Sequence, residues 1–154
     1  MTSSETPGLV KQFRKTSWRF QATFVTPLKN LRPFVELIVS ALQPVDEGRV
    51  TLDQIVFEPK NLITLTAGHS LAAPRDHDWS LSARGRKEIM QLLEAALGDC
   101  VDFAFVPAPR AFVMFADHDE YATFFGNTKS SLNRVVESLT AGGFEKVSNY
   151  ERRF

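Results

Sequence analysis

Two histidine–carboxylate runs carry the side chains of this chain best suited to chemistry, "DHDW" at residues 76–79 and "DHDEY" at residues 117–121. A neutral imidazole among carboxylates is a reasonable ligand set for zinc, manganese or iron. It is also the make-up of a general base, because a carboxylate can hold the ring in one tautomer and raise its pKa. If the two loops meet at one end of a sheet, His77, His118, Asp117, Asp119 and Glu120 make an acid–base set. The metal candidates are then His69, His77 and His118. No pair of these histidines has H-x-x-x-H or H-E-x-x-H spacing, and a lone Cys100 excludes C-x-x-C, so no local element preorganises a metal. No nucleophile elbow, P-loop or dinucleotide fingerprint accompanies them. No cofactor is expected.

The second run also reads as a structural signal. Asp117 with Glu120 three residues on has capping-box spacing, and Asp119 would meet the positive end of a helix dipole. That grammar predicts a short helix through "EYATFF", stopped by Gly126.

The elements that must position these residues follow from periodicity. "WRFQATFV" alternates like a strand, with Trp18, Phe20, Ala22 and Phe24 on one face. "LRPFVELIVSALQ" predicts a helix with its N-cap near Asn30 and a stripe of Phe34, Leu37, Ile38, Ala41 and Leu42. "RVTLDQIVFEP" and "NLITLTA" read as a hairpin, and "GHSLAAPRDHDW" as a long loop. A helix over "SARGRKEIMQLLEAAL" buries Ile89, Leu92, Leu93 and Ala96, and a second hairpin joins "CVDFAFV" to "AFVMFA". "KSSLNRVVESLTA" buries Leu132, Val135, Val136 and Leu139, and "FEKVSNYERRF" reads as a closing edge strand.

The expected order is β-α-β-β-α-β-β-α-β: an α+β domain, a mainly antiparallel sheet of about six strands with helices packed on one face. Its first four strands and two helices follow the split βαβ order of a ferredoxin-like unit or a related two-layer sandwich. Both D-H-D runs precede a helix, a glycine stop and a strand, a faint internal repeat.

At 154 residues the chain fits one domain, read as residues 17–154 behind a polar, flexible arm at 1–16. Eighteen basic and eighteen acidic residues cancel, which argues against a dedicated DNA binder. The charge is unevenly placed. Residues 1–20 carry four cations against Glu5, and residues 94–120 carry six carboxylates against Arg110. Such an acidic segment can steer a basic partner, which makes Asp99, Asp102, Arg110, Asp117, Asp119, Glu120 and Tyr121 the binding candidates. The single cysteine fits a reducing compartment, and no apolar run has the length of a membrane span. The function expected is a small cytosolic, non-catalytic recognition protein binding another protein, of which an inhibitor or immunity-type binder is one possibility. The alternative is an enzyme with a histidine–carboxylate or metal site at the two D-H-D loops.

Overall fold

Thirteen phenylalanines and a period-two apolar pattern favour a broad sheet. The computed structural model, which describes residues 1–153, contains one. Its strands are β1 (Thr2–Glu5), β2 (Phe20–Val25), β3 (Glu47–Gln54), β4 (Trp79–Arg84), β5 (Asp102–Ala108), β6 (Val113–Ala116) and β7 (Tyr121–Gly126). They lie in the order β1-β4-β3-β5-β6-β7-β2, and every neighbouring pair is antiparallel. The helices are α1 (Leu9–Lys15), α2 (Leu31–Ser40), α3 (Lys60–Gly68), α4 (Gly85–Gly98) and α5 (Lys129–Ala141). The α+β class and antiparallel sheet are as expected, with seven strands instead of about six.

Alternation gives the sheet two different faces. Ala22, Phe24, Val50, Leu81, Phe103 and Phe124 belong to the main core with the apolar stripes of α2, α4 and α5. The expected stripes bury as read: Phe34 and Ile38 on α2, Ile89, Leu92, Leu93 and Ala96 on α4, and Leu132, Val135 and Leu139 on α5. Ala104, Val113, Phe115 and Phe125 point the other way and are covered by Val10 and Phe13 of α1. Helices therefore lie on both faces.

Four local readings are corrected. Residues 1–16 are not a free arm: β1 pairs with β4 and α1 packs on the second face, because Val10 and Phe13 sit one turn apart and both bury. "NLITLTA" is helix α3, not a strand, so the ferredoxin-like strand order is lost and the related two-layer sandwich remains. Its N-terminus has no local side-chain cap; instead the Asp99 carboxylate accepts the N–H of Asn61 (3.0 Å) and of Leu62 (2.8 Å). "SAR" belongs to β4, whose Trp79, Leu81 and Ala83 face the core, and helix α4 begins only at Gly85. The C-terminal segment makes one isolated bridge, Lys146 to Phe24, and no named strand.

Removing residues 1–16 should lower the melting temperature by roughly 5–10 °C, because each of two apolar side chains contributes about 1.5–3 kcal/mol by burial. A thermal scan showing less than about 2 °C of loss would restore the free-arm reading.

Candidate functional site

Antiparallel registry brings both D-H-D loops to one end of the sheet. Thr51 pairs with Ser80, Gln54 with Asp102, Phe103 with Ala116, and Ala116 with Ala122. Residues 76–78, the end of β3, the start of β5 and the turn 117–120 therefore lie side by side. Asp53, on β3, and Asp102, on β5, stand between the two loops.

The second loop is not a helix start. Asp117 Oδ1 accepts the N–H of Asp119 (2.9 Å) and of Tyr121 (3.2 Å), closing a β6–β7 hairpin in which Glu120 takes a left-handed φ of 66°. A carboxylate accepting nearby backbone N–H groups serves an Asx turn as well as a helix cap. The β-branched and aromatic run Tyr121–Phe125 selects the strand. The other carboxylate oxygen of Asp117 lies 2.8 Å from Arg152 Nη1. Arg152 also donates to Thr123 Oγ1 (3.0 Å) and lies over the Phe115 ring, and its side chain is 8% exposed.

His118 is held by Asp102, a buried residue of β5. Asp102 Oδ1 accepts the backbone N–H of His118 at 2.8 Å and lies 2.8 Å from ring Nδ1. This hydrogen bond raises the His118 pKa, reinforced by the charges of Asp102, Asp119 and Asp117. Nε2 faces outward, 3.9 Å from Asp119. Nδ1 held by a carboxylate with Nε2 free is what a general base requires.

His77 does not join this pair. Its charge acts on Asp53, whose pKa is raised by burial and opposed by Arg14. Arg14, from α1, forms an ion pair with Asp53. His69 ends α3 and acts on Glu88 at the start of α4, at the other end of the sheet. Among the described residues no three His, Cys, Asp or Glu side chains are grouped to hold a metal ion. Of the acidic binding candidates, Asp99 is a buried helix cap, Asp102 serves His118 and Asp117 serves Arg152; Asp119 and Glu120 remain exposed. Tyr121 packs on Tyr150, with ring centroids 5.0 Å apart. Burial raises the pKa of the Cys100 thiol, which disfavours a thiolate nucleophile.

Arg110 is exposed, as Asp119 and Glu120 are. It lies in the β5–β6 connection, at the opposite end from Asp102, with its guanidinium 5.1 Å from the centre of the Trp18 ring. It makes no ion pair or hydrogen bond with another described residue. Trp18 does not share the core face of Phe20 and Phe24 as expected. It precedes β2 and packs against Phe13 (5.4 Å) and Phe125 (5.8 Å) on the second face. Its Nε1–H is buried without an acceptor among the described residues. Two clefts flank this pair. One, of about 170 Å³, has Phe13, Ala104 and Val113 in its wall, and the other, of about 400 Å³, has Phe112, Phe125 and Ser131. Arg110 is the only charged residue lining either. In the basic–aromatic run "KQFRKTSWRF", Phe13 and Trp18 line the smaller cleft, Phe20 packs on the main core and Arg14 is taken by Asp53.

No protein-family model, curated protein or solved structure matches the chain.

Two outcomes test the polar end. Arg152→Ala should cost about 3 kcal/mol in urea unfolding, because it leaves the Asp117 carboxylate largely buried and unpaired. Combined with Asp117→Asn it should show a coupling of about 1–3 kcal/mol, and strict additivity would mean that the pair does not interact. His118 should titrate above the ordinary imidazole value by NMR. Because its folded pKa is raised, its contribution to stability is complete below the unfolded pKa and fades as pH rises through the folded one. The stability difference between the native chain and His118→Gln should therefore shrink from pH 5.5 to pH 8 (values chosen to span the range around the imidazole pKa of about 6.5). A pH-independent difference would refute the linkage.

Proposed function

We propose that this protein is a non-catalytic recognition protein acting in the cytoplasm, and that it meets a protein partner at the Arg110–Trp18 face. One observation carries the reading: a guanidinium over an indole, without a carboxylate partner, between a small apolar cleft and a larger mixed one. Arginine and tryptophan are the side chains most often found at the energetic centre of protein interfaces, where neighbouring contacts exclude water. Two other arginines of the second face are neutralised, Arg14 by Asp53 and Arg152 by Asp117, while Arg49 donates to Ser82. An inhibitor or immunity-type binder fits this profile, in which one small rigid domain presents a preformed patch. The lone Cys100 suits a reducing compartment. The cancelled net charge supports a protein partner over duplex DNA.

The second reading, an acid–base enzyme, is favoured by the Asp102–His118 geometry. What supports the binding reading over it is the surroundings of Nε2. Another carboxylate, Asp119, stands 3.9 Å from it, and no hydroxyl or thiol of a described residue is hydrogen-bonded to the ring.

The two readings separate by mutation. Immobilised protein should retain a partner from its source cell that Arg110→Ala loses and His118→Gln keeps, with all three equally stable. Retention that depends on His118 and ignores Arg110 would reverse the ranking.

A further inference from the structure

The geometry points to an acidic peptide as the occupant of the two clefts beside Trp18. An extended segment would set a carboxylate on Arg110 and place an apolar side chain in the cleft on either side. This rests on the Arg110–Trp18 face being the binding face, and adds the chemistry of what it binds.

Charge is the first argument. Both clefts are lined by a single ionisable side chain, the exposed Arg110. In an adjoining cleft formed by Leu9, Val106 and Pro107, the carboxylate of Glu47 is accompanied by Arg49. The local field is therefore positive, and it favours an anion.

Donor geometry is the second. The guanidinium lies 5.1 Å from the centre of the Trp18 ring and has no carboxylate partner, so its N–H fork is available for a planar oxyanion. One cation matches one negative charge, which suits a carboxylate. A phosphate, near two charges at neutral pH, calls for a cluster of cations.

Shape is the third. Compact ligands bury most of their surface in one concavity. Here two shallow clefts, of about 170 and about 400 Å³, are divided by the Arg110–Trp18 ridge. A chain crossing that ridge can fill both, with one side chain against the apolar wall of the smaller cleft and another against Phe112 and Phe125 in the larger, more polar one.

Direct titration tests this, read by Trp18 emission and by calorimetry. The probes are the blocked peptide acetyl-Ala-Phe-Asp-Phe-Ala-amide, its Asn counterpart, and phenylacetate. The Asp peptide should bind saturably and the Asn peptide roughly tenfold or more weaker, the size expected for losing a charge-assisted hydrogen bond. Arg110→Ala should lose a similar factor at an unchanged melting temperature, and Arg110→Lys should recover only part of it. The inference is overturned if Asp and Asn peptides bind equally, if neither binds at millimolar concentration, or if phenylacetate binds as tightly as the peptide. If a cellular partner is nonetheless retained through Arg110, the binding face stands and only the acidic-peptide assignment falls. Retention indifferent to Arg110 removes both.

Discussion

Three carboxylates at one end of the sheet fix how its second face is covered. Asp53 on β3 holds Arg14 of α1, Asp102 on β5 holds His118 of the hairpin turn, and Asp117 of that turn holds Arg152 of the C-terminal segment. Each pair joins segments far apart in sequence. With His118 protonated the three negative charges face three positive ones, so the cluster is balanced internally. Burying charges costs desolvation that pairing only partly offsets, and such pairs are weak evidence of net stabilisation. The favourable term on this face is apolar: Val10, Phe13, Val113, Phe115 and Phe125 leaving water together. What the carboxylates add is placement.

The same arrangement explains why a histidine beside acids is ambiguous in a sequence. Holding Nδ1 at 2.8 Å with a buried carboxylate both orients a base for catalysis and pins a turn to a strand. The distinction lies in what Nε2 meets. Here Asp119 stands 3.9 Å away, and a second carboxylate strengthens the charged form of the ring instead of offering it a proton to remove. The backbone N–H of His118 goes to the same Asp102 oxygen, so the turn is anchored even when the ring is neutral.

Much of the fold was legible because helices α2, α4 and α5 bury one stripe each, and their periodicity survives in the sequence as Phe34–Ile38, Ile89–Leu93 and Leu132–Val135. What failed depended on partners remote in sequence. "NLITLTA" has the β-branched composition of a strand, and its first turn is capped by Asp99, some 37 residues away from Leu62. "EYATFF" reads as a helix because Asp117 and Glu120 have cap spacing; Asp117 is indeed a backbone acceptor, and only the element it begins differs. The arm looked unanchored because Val10 and Phe13 are two apolar residues in a polar stretch, and the face they cover exists only after β5, β6 and β7 assemble. Arg110 was legible as a binding candidate, but its partner was not, since Trp18 appeared to share the face of Phe20.

Arg14, Arg152 and Arg110 lie on this second face in different environments. Arg14 and Arg152 each have a carboxylate, and Arg152 is further immobilised by Thr123 and by the Phe115 ring. Their donors are committed. Arg110 has an aromatic platform, which restrains the guanidinium without consuming its in-plane donors. Restraint before binding lowers the conformational entropy lost when a ligand arrives. A flexible, solvated arginine would have to be ordered by its ligand, and one paired with an acid would have to be freed. Arg110 is restrained without being paired, and Asp102 and Asp117 lie at the opposite end of the sheet.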